Sequence, residues 1–159
     1  MKRLLILPVL LLLVGTPASS ADFQKGLDAA ESGDYATALR EWTPLAEQGH
    51  AGAQNNLGVM YDNGEGVPQN YKTAFKWYTL AAEQGYADAQ YNLGVMYANG
   101  EGVLQDYVRA HMWWNIAASS GVKVASKNRD TIAKRMTPSQ IAEAQDLAQE
   151  CVKKNYKGC

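Results

Sequence analysis

Few side chains in this sequence of 159 residues are suited to catalysis at neutral pH. The only histidines are His50 and His111, and neither lies in a pattern that pairs a nucleophile with an adjacent base. His50 precedes a predicted helix, whereas His111 corresponds to Phe75 in an earlier segment of similar sequence, which predicts a packing role. No nucleophile elbow, phosphate loop or cluster with metal-ligand spacing is present. We therefore expect no catalytic residues, no cofactor and no metal.

The segment 62–66, with the sequence DNGEG, invites comparison with a calcium loop. An EF-hand requires a bidentate glutamate at the twelfth position from its first ligand. Counted from Asp62 that position is Thr73, and the later copy of the segment has Ala98 in place of Asp62. The segment is therefore predicted to be a turn in which glycine ends the preceding helix.

Both cysteines, Cys151 and Cys159, lie within the last nine residues. An even number of cysteines in an exported chain indicates a disulfide, here one that ties the last helix to the last residue. Gly158 allows the chain to turn back. Two free thiols, or an intermolecular bridge through Cys159, are the alternatives.

The first residues predict export. Lys2 and Arg3 precede an apolar run over residues 4–14, and small residues follow it. This is the pattern of a secretory signal peptide, here residues 1–21 with cleavage before Asp22. The apolar run is too short to cross a bilayer, which takes roughly 20 residues. The mature protein is expected to be periplasmic or secreted, from a bacterium, without stable membrane insertion.

Charge is distributed unevenly along the mature chain. Residues 22–122 hold 5 basic and 12 acidic residues, whereas residues 123–159 hold 8 basic and 4 acidic ones. No concentrated basic stripe is present, so we do not expect a nucleic-acid partner.

An internal repeat predicts the elements that position these residues. Residues 49–84 and 85–120 match at 21 of 36 positions without a gap. A period of roughly 20 to 50 residues is typical of a stacked solenoid, in which each unit contacts mainly its neighbours. Such a protein offers an extended surface, which favours a binding module over an enzyme.

Each unit divides into two predicted helices. Leu57 and Tyr61 follow helical spacing in the first, which ends at Gly64 because glycine readily adopts the left-handed conformation after a helix. Gly58 and Ala74 are small enough to let the two helices approach closely. The second helices begin after N-cap residues that recur one period apart, namely Asp34, Asn70 and Asp106.

The pattern AQxNLGVMYxNGEGVxQxYxxAxxWxxxAA resembles the Sel-one-like subfamily of tetratricopeptide repeats, and residues 22–48 have the shorter spacing of an ordinary tetratricopeptide repeat. The resemblance implies an all-α, right-handed α/α superhelical solenoid that makes protein–protein contacts, and it implies no activity. The predicted units are 22–48, 49–84 and 85–121, within one repeat domain over residues 22–121.

Residues 122–159 are predicted to depart from the repeat and to form C-terminal capping helices. The first is rich in lysine and arginine and lacks the expected Leu-Gly pair. Thr137 and Gln140 then predict a capping box at the start of the last helix. Such an atypical end shields the last unit of a solenoid.

The resemblance also implies a concave surface lined by the first helix of each unit, which Phe23, Leu27 and Glu31 would continue. No basic residue lies at its outward positions, so the lysine- and arginine-rich peptide clamp of some tetratricopeptide proteins is not expected. The surface would suit an extended peptide held through its backbone, or a basic segment. The candidate partner-binding residues are Asn55, Val59, Asp62, Asn63, Asp88, Tyr91, Val95 and Asn99.

Two functions remain open from the sequence. The favoured one is a non-catalytic adaptor of the bacterial cell envelope that binds a protein or peptide. The alternative is a peptidoglycan-related enzyme or cell-wall-binding factor, which some secreted Sel-one-like proteins suggest. The absence of a nucleophile with an adjacent base favours the adaptor.

Overall fold

A computed structural model describes residues 21–159, so the predicted signal peptide lies outside the described residues except for Ala21. The described part contains eight α-helices and no strand, which confirms the all-α solenoid. None of these helices combines the length and apolar character needed to cross a membrane. The helices are α1 (Phe23–Glu31), α2 (Tyr35–Glu47), α3 (Ala51–Asn63), α4 (Tyr71–Ala82), α5 (Ala87–Asn99), α6 (Tyr107–Ser119), α7 (Lys123–Ala133) and α8 (Pro138–Lys153).

The first six helices form three stacked hairpins. Helix α1 packs on α2, α3 on α4, and α5 on α6. Each hairpin joins the next because its second helix also packs on the following first helix, α2 on α3 and α4 on α5. Helices α7 and α8 both pack on α6 and thereby cover the last hairpin.

Local signals in the sequence set the helix ends as predicted. Each of the side chains of Asp34, Asn70 and Asp106 accepts a hydrogen bond from the backbone N–H three residues later. Gly64 ends α3 in the left-handed conformation, with φ of 74°. Thr137 and Gln140 form the predicted capping box at the start of α8.

The two helices of each hairpin approach closely where a glycine faces an aromatic ring. A Cβ atom on Gly94 of α5 would overlap the indole of Trp114 of α6. The indole Nε1–H of Trp114 donates to the carbonyl of Tyr91, 3.1 Å away, and fixes the ring there. The equivalent pairs are Gly58 with Tyr78, as the small-residue pattern predicts, and Gly26 with Trp42.

Helix α7 departs from the repeat less than the sequence analysis predicts. Ala125 is fully buried, like Ala53 and Ala89 at the same position two units and one unit earlier. The departure is clear at Arg129 and Asp130, which stand where α5 has Leu93 and Gly94. Because a side chain there prevents a close crossing, α8 packs on α6 instead of forming a tight hairpin with α7.

The C-terminal residues fold back onto the repeats. Cys151 is paired with Cys159, with Cα atoms 5.5 Å apart, in the intramolecular arrangement that the sequence favours. The N–H of Gly158 donates to a carboxylate oxygen of Glu83 at 3.0 Å. Arg109 donates to the main-chain oxygen of Cys159 at 2.7 Å. The closed loop therefore contacts two hairpins as well as α8.

Candidate functional site

Two clefts lie on the surface formed by the first helices of the hairpins. The larger, which we call the C-terminal cleft, lies between α5 and α7 and has a volume of about 350 Å³. The smaller, the N-terminal cleft, lies between α1 and α3 and has a volume of about 130 Å³. The C-terminal cleft is lined by Tyr91, Val95, Ala98, Asn99, Trp114, Asn128, Thr131, Ile132 and Arg135. The N-terminal cleft is lined by Leu27, Ala30, Tyr35, Trp42, Asn56, Val59, Met60 and Glu65.

Apolar side chains of Val95, Ala98 and Ile132 line the C-terminal cleft together with one edge of Trp114. These atoms offer an apolar surface to a partner side chain, since burying apolar area is the main driving force of association. Polar groups surround this surface and can give direction to the contact.

The polar groups of the C-terminal cleft are held by neighbouring helices. Asn128 of α7 donates from Nδ2 to the hydroxyl of Tyr91 of α5, 3.3 Å away, which joins the two helices. The guanidinium carbon of Arg135 lies 4.8 Å from the ring centroid of Tyr107, so an aromatic face supports this exposed cation. The cleft therefore combines an apolar floor, amide and hydroxyl groups, and one positive charge.

The N-terminal cleft has the opposite charge. Glu65 lines it, and Asn63 donates to the Glu65 carboxylate at 3.3 Å. Asp62 of α3, which does not line this cleft, accepts a hydrogen bond from the hydroxyl of Tyr78 at 3.2 Å. The pKa of the Asp62 carboxyl is raised, mainly because partial burial disfavours its charged form. The hydrogen bond from Tyr78 opposes this shift, and the carboxylate of Glu101 adds to it.

The structure distributes the predicted surface residues among several environments. Tyr91, Val95 and Asn99 meet in the C-terminal cleft. Val59 lies in the N-terminal cleft, together with Leu27, which the sequence analysis placed at the continuation of the surface. The polar groups of Asp62 and Asn63 bond to neighbours in their own unit, and Asp88 is exposed in the first turn of α5 and lines neither cleft.

Asn55 differs from the sequence-based expectation of an outward-facing residue. Only 7% of Asn55 is exposed, because Asn92 of α5 packs across it and donates to its side-chain oxygen at 3.2 Å. The neighbouring Asn56 lines the N-terminal cleft in its place. At the equivalent position of the next unit, Tyr91 has a longer side chain and also lines the C-terminal cleft.

The sequence analysis missed the contribution of residues 128–135. Asn128, Thr131 and Arg135 complete the C-terminal cleft, so a basic residue lies at this end of the surface, beyond the positions that the sequence analysis considered. The repeat period could have identified these three residues. These three residues follow Asn92, Val95 and Asn99 by one period of 36 residues.

Neither a metal cluster nor a free histidine accompanies the clefts in residues 21–159. Within this part of the chain, no group of three or more His, Cys, Asp or Glu side chains could hold a metal ion. His50 caps α3, where its Nδ1 accepts a hydrogen bond from the Ala53 N–H at 3.1 Å. His111 is buried in α6, as its correspondence to Phe75 predicts.

Comparison with known proteins identifies the repeats. The Sel1 repeat family matches residues 51–86 and 87–122, the second and third hairpins with their following turns. A search of curated proteins gives no match.

Two solved structures are similar to this chain over most of its length. One is a protective antigen of uropathogenic Escherichia coli that displays an SLR fold, with 31% sequence identity and a TM-score of 0.78 over 82% of this chain and 29% of the antigen. The other is a Sel1 repeat protein from Oxalobacter formigenes, with 34% identity and a TM-score of 0.65 over 68% of this chain and 44% of that protein. The chain thus spans less than half the length of either. It is a Sel1-like repeat protein, with two Sel1 repeats in a helical solenoid.

Proposed function

We propose that this chain is a non-catalytic protein-interaction module of the bacterial cell envelope, which binds a protein or peptide partner in the C-terminal cleft. Sel1 repeats generally mediate protein–protein interactions, and the solenoid fold is consistent with that role. The main observation in favour of this site is the apolar floor between α5 and α7, which polar groups surround and which no segment of residues 21–159 covers.

The chemistry of the C-terminal cleft favours a particular kind of peptide. One apolar side chain would enter the floor formed by Val95, Ala98 and Ile132. The side chains of Asn128 and Thr131 would exchange hydrogen bonds with the peptide backbone. The exposed Arg135 favours an acidic residue beside the apolar one over the basic segment considered from the sequence.

Export of the protein is part of the proposal. Residues 1–21 have the pattern of a secretory signal peptide, and the Cys151–Cys159 pair fits an oxidising compartment. The similar bacterial antigen is consistent with exposure outside the cytoplasm. The envelope is therefore where we expect the partner.

Site-specific photo-crosslinking in the producing cells tests the cleft. A benzophenone amino acid replaces Thr131 at the rim of the cleft, or Lys72, an exposed residue of α4 that lines neither cleft. We expect a discrete crosslinked partner from position 131 and none from position 72. Adducts of equal yield from both positions would contradict the proposed site.

A blocking variant provides the quantitative test once the partner is known. Thr131→Trp places a large side chain over the cleft and is expected to weaken binding at least about tenfold, while Lys72→Trp leaves affinity unchanged. Hydrolysis of peptidoglycan fragments by the purified protein would instead contradict the non-catalytic assignment.

A further inference from the structure

A buried carboxylate lies beside the start of the mature chain. Glu41 of α2 is only 4% exposed. Its Oε1 lies 2.8 Å from the Lys25 ammonium and 3.3 Å from the Arg40 guanidinium. Its Oε2 accepts a hydrogen bond from the backbone nitrogen of Asp22 at 3.2 Å. The hydrogen bonds from Lys25 and from the Asp22 N–H hold the pKa of the Glu41 carboxyl below its usual value.

The two oxygens of Glu41 have different partners. Lys25 and Arg40 contact Oε1. Because their side chains are 52% and 63% exposed, solvent screens their charges. Within residues 21–159 the Asp22 nitrogen is the hydrogen-bond partner of Oε2. A buried carboxylate is costly unless each oxygen is compensated, and a charged donor compensates it better than a neutral amide.

The predicted signal-peptide cleavage acts on this same nitrogen. Hydrolysis of the peptide bond between Ala21 and Asp22 adds the elements of water, so that Ala21 leaves with a new carboxylate and Asp22 retains the nitrogen as a primary amine. A free α-amino group has a pKa of about 7.7 to 8.0, so it is mostly protonated at neutral pH. Processing thus converts a neutral donor into a cationic one at a fixed place.

We propose that removal of residues 1–21 creates an Asp22 ammonium that forms a partly buried ion pair with Glu41. The pair fastens α1 to α2, since the Asp22 side chain also caps α1 by accepting the N–H groups of Gln24 and Lys25. Helix α1 contributes Leu27 to the N-terminal cleft. Processing therefore strengthens the first hairpin of the solenoid, because the precursor has only the neutral hydrogen bond from the Asp22 N–H at this place.

The test compares two mature proteins that differ only in the charge of one nitrogen. Both begin at Asp22, one with a free amine and one acetylated, which keeps an N–H donor but removes the positive charge. We expect the free-amine form to unfold at a temperature about 4 °C higher. Glu41→Gln should lower the unfolding temperature of the free-amine form and abolish its advantage over the acetylated form. Equal unfolding temperatures in the wild-type pair, or a higher unfolding temperature of the free-amine form that persists in Glu41→Gln, would overturn the proposal.

A chemical readout keeps the proposal testable if Glu41→Gln does not fold. An acylating reagent in limiting amount near pH 7 normally modifies the α-amine before the lysines, whose pKa is about 10.4. We expect the Asp22 amine to react at least about tenfold more slowly in the folded protein than in urea. Lys25→Gln should retain this protection, because Lys25 contacts the other oxygen. Equal reactivity in both states, or an exported protein whose first residue is not Asp22, would disprove the ion pair.

Discussion

At the scale of single residues, His111 is an ionisable group in an otherwise apolar position. Only 3% of the residue is exposed, and its Nδ1 has no hydrogen-bond partner in residues 21–159. Burial lowers the pKa of the imidazole, the positive charge of Arg129 lowers it further, and Asp130 opposes both effects. The preceding unit has Phe75 at the same position, so the fold there does not require a polar group.

The His111→Phe variant should be less sensitive to acid. Because the folded-state pKa lies below the usual 6.5, the unfolded chain binds a proton first as the pH falls, and stability is lost below about pH 6.5. We predict that the free energy of unfolding of the wild type declines between pH 7 and pH 5 more steeply than that of His111→Phe. Urea denaturation at three pH values measures both slopes.

The control is His50→Asn, which keeps an N-capping side chain on α3 and leaves His111 in place. Because His111 is still present, the free energy of unfolding of this variant should decline more steeply than that of His111→Phe. If His111→Phe also retains the wild-type slope, His111 is not the acid-sensitive group.

At the scale of helices, glutamine side chains link each hairpin to the one before it. Gln54 donates to the carbonyl of Ala46 at 3.0 Å, and Gln90 donates to that of Ala82 at 3.3 Å. In the second unit Gln84 completes the link by donating to the side-chain oxygen of Gln54 at 2.7 Å. The third unit has Ser120 at that position, and the side-chain oxygen of the fully buried Gln90 has no partner among the described residues.

The Ser120→Gln variant should therefore stabilise the protein. The longer amide can reach Gln90 as Gln84 reaches Gln54, and a hydrogen bond to a buried unpaired acceptor contributes about 0.5 to 1.5 kcal/mol. Chemical denaturation measures the change. Ser119→Gln, one residue earlier, controls for the better helix propensity of glutamine. An equal gain from both variants would show that propensity, not the new bond, is responsible.

At the scale of the whole molecule, the C-terminal loop contacts two neighbouring hairpins that lie far from it in the sequence. The Cys151–Cys159 pair closes a short loop whose last residues contact Glu83, at the end of α4, and Arg109 of α6. A solenoid otherwise has contacts mainly between neighbouring units, so its ends separate most easily. The loop should make the second and third hairpins unfold together.

The Cys159→Ser variant tests this coupling because it removes the disulfide. Opening a loop of this length is expected to lower the free energy of unfolding by about 2 to 3 kcal/mol. Hydrogen exchange should increase in residues 154–159 and at the end of α4, where Gly158 contacts Glu83. A reducing agent should produce the same change in the wild type and none in the variant. Unchanged exchange at the end of α4 would show that the loop does not stabilise that helix.

Local sequence signals suffice to predict the helices and their order. Asp34, Asn70 and Asp106 predict helix starts because the groups they cap lie only three residues away. Gly64 predicts a helix end because few other residues tolerate its backbone conformation. These signals act within a few residues, and the 36-residue period then predicts a stack because identical units can repeat the same contact.

The side chains that form the clefts depend on packing between hairpins, which local sequence does not predict. Asn55 and Asn56 are adjacent and chemically identical, yet Asn92 from another hairpin covers the first and leaves the second at the N-terminal cleft. Arg135 reaches the C-terminal cleft because α7 keeps the register of the earlier first helices, although its sequence lacks their Leu-Gly pair. Glu41 looks like a surface residue of α2 until the N–H of Asp22, just before α1, bonds to its carboxylate. Each of these positions depends on contacts between residues that are far apart in the sequence, 19 residues for Glu41 and 37 for Asn55. Local sequence does not identify the distant neighbour.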